Sequence, residues 1–414
     1  NLLEGRFDVD PAAIGFEVFL RDGRSYAYFG IFPALLRLPL VPLVDLAMVQ
    51  VEGPYRLAAM ILAAAGFPGL VLLMAVLFSG PVIMIGPRPG IYHEVALWAW
   101  ALAAWFLALL VPALDPARPP SGWRLSGLAA LAGCAVLTRP TMGLALLAAL
   151  ALLMIVLAWR EETGRPLVRL LKAACRGRMI APTLVVLAFL AAAGGVNQAR
   201  WGHPFTFADM ALQVELLAEF PDRQGRLEAY GLFNPRRLGL GFVYYFVPVW
   251  AFTRDGRFLF HDDIGRLFDA FELPPASFFL TDPLTMALAA IGLAAVLRRA
   301  VPGVARGPAL AVMAGLAVSP ALMLMAWYMA FRYRVEFMPL FLLAAGFGAI
   351  RVSHWMAGAS APAARRAMVA MVVLLGLQVA AAHAFALIYR ASPMGPSLWV
   401  AQDGLLAAYR RILP

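Results

Sequence analysis

Apolar residues in this chain come in long unbroken blocks parted by short polar stretches, with neither the alternation of a half-buried strand nor the stripe of a surface helix. A helix needs roughly 20 such residues to cross about 30 Å of hydrocarbon. Measured against that length, the pattern predicts ten membrane segments: Gly30–Val49, Leu57–Ser79, Glu94–Leu114, Leu125–Leu137, Met142–Trp159, Ile180–Val196, Pro283–Leu297, Pro308–Tyr328, Val335–Ile350 and Ala367–Tyr389. Pro33, Pro39 and Pro42 kink the first or limit it to a dip into the bilayer. The fourth and fifth are short and meet at Thr138-Arg139-Pro140, which reads as the tip of a helical hairpin. The fold class expected is an all-α polytopic membrane protein of about ten transmembrane segments.

Charge then orients the pattern. The stretch Arg160–Arg178 carries six basic residues against two glutamates, and Arg298–Arg306 and Arg351–Arg366 carry three each against none. With alternating spans all three fall on one side, which the positive-inside rule makes cytoplasmic. The other side receives the N-terminal segment, the turn Gly80–His93, the Arg139 tip, the loop Asn197–Asp282, the turn Met329–Arg334 and the tail after Arg390. Aromatic residues in the long loop, among them Trp201, Phe205, Phe207, Phe233, Tyr244 and Tyr245, suit segments lying at headgroup level. An interfacial helix is expected over Phe207–Phe220, and a second one or a re-entrant piece over Gly241–Phe252. The organisation expected is a first exoplasmic loop over 1–30, an N-terminal membrane module over 31–196, an exoplasmic loop over 197–282, a C-terminal membrane module over 283–389 and a tail over 390–414. The polar opening at Asn1 predicts one more membrane helix before it.

Composition agrees with this class. Of 414 residues, 62% are apolar and 14% charged, and the mean hydropathy is +0.78, whereas a soluble domain is roughly a quarter charged. The net charge of +10 follows from the basic loops, and without a basic stripe of interleaved aromatics it does not point to nucleic acid. Lys172 is the only lysine, so nearly every cation is a guanidinium, suited to bidentate phosphate contacts; high-GC coding produces the same bias. The two cysteines, Cys134 and Cys175, have no partners at metal-ligand spacing. Serine-hydrolase elbows, phosphate-binding Walker loops, HExxH helices and EF-hand loops are absent from the sequence.

Candidate chemistry collects on the exoplasmic side. Asp8 and Asp10 point to opposite sides if their loop is extended and converge if it turns; in a turn one carboxylate takes a proton from an acceptor hydroxyl while the other orients it or holds a divalent cation such as Mg or Mn. The plainer reading is a solvated acidic loop. Arg139 at a hairpin tip is placed to grip a phosphate or to snorkel to the interface. Arg332 and Arg334, in a tight exoplasmic turn, repeat that argument, and because they break the positive-inside trend they want a reason. Glu94 and His93 open a span as a second acidic group and its neighbour, or as a helix cap. His261-Asp262-Asp263 matches no standard metal site, and no metal ligands are assigned.

Several blocks together resemble the polytopic GT-C glycosyltransferases. They are Asp22-Gly23-Arg24-Ser25-Tyr26-Ala27-Tyr28-Phe29 with Pro33-Ala34-Leu35-Leu36, Tyr92-His93-Glu94, Leu137-Thr138-Arg139-Pro140, Asn197 through Phe205, Gly231 through Arg237, and Arg332 through Pro339. The resemblance implies a GT-C-like fold and inverting transfer of a sugar from a polyprenyl-phosphate donor to a glycan, lipid or protein acceptor at the outer face of a bacterial inner membrane. It implies Asp10 or Asp8 as base, Arg139 and Arg332 on the donor phosphate, Glu94 and His93 in support, and Arg24, Tyr28 and Arg334 as further substrate contacts. Because the family's acid stands soon after a first helix, the resemblance also allows a base before Asn1. The competing classes are a secondary transporter, which needs broken helices meeting at mid-membrane in paired halves, and a glycan ligase or lipid-modifying transferase using a lipid-linked donor.

Overall fold

The computed structural model describes residues 7–9, 19–27, 31, 66–85, 91–161, 177–247, 253–254, 257–258, 265–271 and 277–391. Among these residues nine apolar helices form the body: α1 (Gly66–Ile85), α2 (Ile91–Leu110), α3 (Gly122–Val136), α4 (Pro140–Glu161), α5 (Gly177–Trp201), α6 (Pro283–Leu297), α7 (Arg306–Met325), α8 (Met338–Gly358) and α9 (Ala361–Ala391). Seven are long and apolar enough to cross a membrane; α3 and α6 are shorter. The protein is an all-α polytopic membrane protein, its described strands being confined to three two-stranded ribbons. The first predicted segment lies outside the described residues apart from Ile31, as do Asp10, Tyr28, His261-Asp262-Asp263 and the tail from 392 on.

Several boundaries differ from those the hydropathy pattern predicts. The helix expected to stop at Ser79 breaks at Gly80 and resumes over Pro81–Ile85, because proline is tolerated in a first turn, where its missing N–H has no partner to lose. α2 starts at Ile91 rather than Glu94, which puts Tyr92 and His93 inside its first turn. α7 is two pieces, Arg306–Leu316 and Val318–Met325, and Pro320 in the first turn of the second piece accounts for the break. In the long loop the helix expected over Phe207–Phe220 is a short turn at Met210–Leu212 followed by Val214–Glu219, with Pro221 separating it from Asp222–Tyr230. The second expected helix begins earlier, at Leu238, and the described part of it ends at Phe246.

Packing in the body relies on close backbone approach, as it must where the surrounding lipid is as apolar as the side chains. The broadest helix pairing is α6 with α8. A Cβ added to Gly292 would stand 1.8 Å from the Ala344 carbonyl oxygen, and one added to Gly348 would stand 1.9 Å from that of Leu288. Only hydrogen fits at either place. α5 and α9 pack with one face only, and Leu184, Leu187, Val369, Val372 and Leu377 stay exposed on the outer surface, where the bilayer covers them.

Contacts between distant segments fix which helix ends lie together. His93 in the first turn of α2 bonds Tyr389 in the last turn of α9, and Arg139, between α3 and α4, pairs with Glu336 just ahead of α8. At the opposite end the Ala305 N–H donates to the Leu114 carbonyl at 2.9 Å, and Gly122 lies against Arg178. The described arginines of the three basic stretches belong to that opposite end or lead to it, so the two ends of the bundle differ in chemistry.

Candidate functional site

Three stretches build the end that carries the candidate residues. The first is the N-terminal hairpin. Asp22 and Gly23, both at positive φ (51° and 71°), make the two-residue turn between β1 (Phe19–Arg21) and β2 (Arg24–Tyr26). Phe19 and Tyr26 pack on Trp201 at ring distances of 5.2 and 6.3 Å, which docks the hairpin on the last turn of α5. The Val9 N–H donates to the Ser25 carbonyl at 2.8 Å. Val9 and Tyr92 both pack on Ala27 and Val95, so half-buried Asp8 is carried to the mouth of α2. Arg24 is exposed on the hairpin, and Glu94 is half-buried in the first turn of α2.

The second stretch is the turn Phe331–Glu336, a 3-10 segment in which every residue but Tyr333 is buried. Its two arginines diverge. Arg332 lies over three tyrosine rings, 4.9 Å from the centre of Tyr92 and 5.3 Å from those of Tyr328 and Tyr333. Arg334 turns inward, 3.8 Å over the Phe278 ring, and its Nη2 donates to Asp282 Oδ2 at 2.7 Å and to the Thr281 hydroxyl. Both partners of that ion pair are all but sealed from solvent. Next to it Gln378 ties α9 to its neighbours, donating to Ser79 Oγ and to Thr285 Oγ1 at 3.0 Å each and accepting from the Thr285 N–H at 3.1 Å. Ser79, Asp282, Thr285 and Gln378 line a void of about 10 Å³, the size of a single water.

The third stretch is the α3–α4 tip. Pro140 starts α4, and Arg139, caught between the two helices, donates from Nε to Glu336 Oε1. Thr141 donates to the same oxygen at 2.9 Å, and Ser319 donates to Oε2. Glu336, fully enclosed, therefore accepts from three side chains, which satisfies a buried carboxylate that would otherwise cost several kcal/mol. The Arg139 guanidinium carbon lies 4.8 Å over the Tyr333 ring, so Arg139 and Arg332 share one tyrosine.

A fourth cluster supports these from the loop. Fully buried Arg237 donates to the carbonyls of Leu267, Gly231, Leu232 and Met325 at 2.7, 2.9, 3.1 and 3.3 Å. Burial lowers its guanidinium to about 10, with the nearby Asp269 carboxylate opposing. Asp269 pairs with Arg223 and lies 3.6 Å from Arg226; burial nonetheless pushes its carboxyl up. These ties hold β3 (Ala270–Phe271) parallel to β4 (Tyr328–Met329), and β4 presents Tyr328 to Arg332.

The structure thus brings together His93, Arg139, Arg332 and Arg334 at one bundle end, with Asp8 and Glu94 beside them. It leaves Arg24 out on the hairpin surface. Sequence reasoning gave no role to Glu336, Asp282, Ser319, Thr141, Tyr389 or Arg237. Glu336 stands four residues after Arg332 in the block Arg332 through Pro339, but the hydropathy pattern placed it inside the span Val335–Ile350 rather than in the turn Met329–Arg334. Among the described residues no three His, Cys, Asp or Glu side chains gather closely enough to hold a metal ion.

No protein-family model matches the chain, and no curated protein matches it. Among solved structures it is similar to the Archaeoglobus fulgidus oligosaccharyltransferase tethered to an acceptor peptide, at 12% identity and a TM-score of 0.34. The match covers 98% of this chain and 52% of that one, so the chain spans about half the length of that protein. At that TM-score the likeness fixes no common topology.

Proposed function

We propose that this protein is a GT-C-like membrane glycosyltransferase that takes a sugar from a polyprenyl-phosphate donor and passes it, with inversion, to an acceptor hydroxyl at the outer face of a bacterial inner membrane. One arrangement carries the reading: two arginines from distant segments, Arg139 and Arg332, meet over Tyr333 at the same bundle end as the segment that carries Asp8. Guanidinium groups suit a phosphate leaving group, and a carboxylate at a water-facing edge suits proton removal. The donor's tail dissolves in the bilayer beside the helices, so the sugar arrives at the surface without a soluble nucleotide.

In this reaction the acceptor oxygen attacks the anomeric carbon, and the bond from that carbon to the phosphate oxygen breaks. The phosphate keeps the electron pair, and Arg332 with Arg139 stabilises the charge that grows there. The acceptor proton passes to Asp8 or Asp10, with Glu94 and His93 shaping the same mouth. Arg334, held by Asp282, orients the turn that carries Arg332. A glycan, a lipid or a protein supplies the hydroxyl.

The test is to incubate the protein in lipid nanodiscs with polyprenyl-phosphate sugars and follow free polyprenyl phosphate. Release that depends on the protein and an acceptor supports the reading. Release of polyprenyl diphosphate from a diphosphate-linked glycan instead favours a ligase. Solute uptake into proteoliposomes without bond cleavage favours a transporter.

A further inference from the structure

We propose that Glu336 is a positioning residue that holds Arg139 in a releasable latch, from which the guanidinium swings to the phosphate of an incoming lipid-borne or free phosphate ester. The inference rests on the reading above that an anion is bound at this bundle end. Its basis is an asymmetry in the ion pair.

Breaking a buried ion pair ordinarily strands a charge and is strongly unfavourable. Here the stranded group would be Glu336, and Glu336 does not depend on Arg139 alone. Thr141 donates to Oε1 and Ser319 donates to Oε2, one hydroxyl on each carboxylate oxygen. When Arg139 departs, the carboxylate keeps both. Arg139 is also the less enclosed partner, with 14% of its side chain exposed against none of Glu336. Its guanidinium already rests on the half-buried ring of Tyr333, which Arg332 contacts too. The ring is a surface along which a planar cation moves while keeping its π contact. Arg139 is the last of three residues, Leu137-Thr138-Arg139, that join the two helices of a hairpin, so its side chain turns from a short link between two fixed helix ends. The two hydroxyls therefore set how firmly the latch holds, and with it the affinity for the anion.

This account predicts opposite changes from two sets of substitutions at one carboxylate. Glu336→Gln removes the charge that competes for Arg139 while leaving an acceptor for Ser319 and Thr141. Ser319→Ala combined with Thr141→Val removes two of the three side-chain donors described for Glu336 and leaves Arg139, which tightens the latch. Binding is measured by calorimetry in nanodiscs, with farnesyl phosphate as the lipid-borne probe and inorganic phosphate as the free one. Relative to wild type, Glu336→Gln is expected to bind about tenfold more tightly and the double variant about tenfold more weakly, a size typical of one charge-assisted hydrogen bond. A change seen with farnesyl phosphate alone assigns the site to a lipid headgroup; a change with both assigns it to phosphate itself. In the transfer assay Glu336→Gln lowers donor KM and also kcat, because leaving-group stabilisation shifts to the ground state.

A merely structural role moves both sets the same way, toward weaker binding, and that result overturns the proposal. Unchanged affinity in either set overturns it as well. If Glu336→Gln does not fold, the double variant is compared with and without Arg139→Gln: weakening that vanishes once Arg139 is replaced supports the latch, and weakening that persists, or no weakening at all, sinks it. If the variants show these shifts while the wild-type protein transfers no sugar, the enzymatic reading ends and the latch stands.

Discussion

The imidazole Nε2 of His93 and the hydroxyl of Tyr389 lie 2.6 Å apart, although 296 positions separate them in the chain. Both residues are buried, and the Tyr389 ring packs on Phe331 at 4.5 Å between centres. The last turn of α9 is thereby clamped to α2 and to the turn that carries both arginines. Removing only the hydroxyl, by Tyr389→Phe, should destabilise the protein by about 1 kcal/mol. A double-mutant cycle with His93→Ala, read by thermal unfolding in nanodiscs, should return a coupling of similar size. Additive effects would mean that the two groups do not interact.

Asp8 gives the sharpest test of the chemistry. Asp8→Asn and Asp10→Asn keep size and shape while removing basicity, and loss of a general base typically lowers rate by about 10²–10⁴-fold. One of the two substitutions should lower kcat that far with protein levels and unfolding temperature unchanged. Near-wild-type rates in both would move the base to another residue.

Much of the fold was legible before the structure, and the reason is physical. Hydrocarbon admits few backbone solutions, so block length alone located nine of the described helices, and alternation plus arginine counts sorted their ends. Helix boundaries were less legible, since Pro81 and Pro320 sit where proline starts a helical piece as readily as it ends one. The site was legible as a set of cations and opaque as a set of pairs. Arg139 stood out because a guanidinium between apolar helices is conspicuous. Glu336 as its partner did not, because that pairing spans 197 positions and depends on how α4 packs beside the start of α8. Arg237 was hidden for a related reason: its partners are backbone carbonyls, which every residue type possesses.

The sealed pair of Arg334 and Asp282 should respond differently from a surface salt bridge. Asp282→Asn leaves a guanidinium in the interior facing a neutral amide, and breaking a buried pair in this way costs about 3–5 kcal/mol. Replacing both partners by apolar residues, Arg334→Met with Asp282→Leu, should recover most of that stability, since neither charge is then left bare. Chemical denaturation in detergent distinguishes the cases. Should the double variant be as unstable as the single one, the pair would matter for its geometry rather than for its charge balance.

The seam between α6 and α8 makes a prediction about glycine that does not depend on function. Gly292 meets the Ala344 carbonyl and Gly348 meets the Leu288 carbonyl, so the two glycines open the same contact from opposite sides. Alanine at either position forces its methyl group against facing backbone atoms, which no rotamer change relieves, and overpacking of this kind costs about 1–3 kcal/mol. The two substitutions should be less than additive. Once the helices have parted to admit one methyl group, the second enters a gap already made. Gly376 in α9 is the control, having no atom near an added Cβ. There alanine should be neutral or stabilise by up to about 1 kcal/mol through helix propensity. Unfolding temperatures of Gly292→Ala, Gly348→Ala, their combination and Gly376→Ala decide the matter, and a Gly292→Ala protein as stable as wild type would show that the helices do not meet this closely.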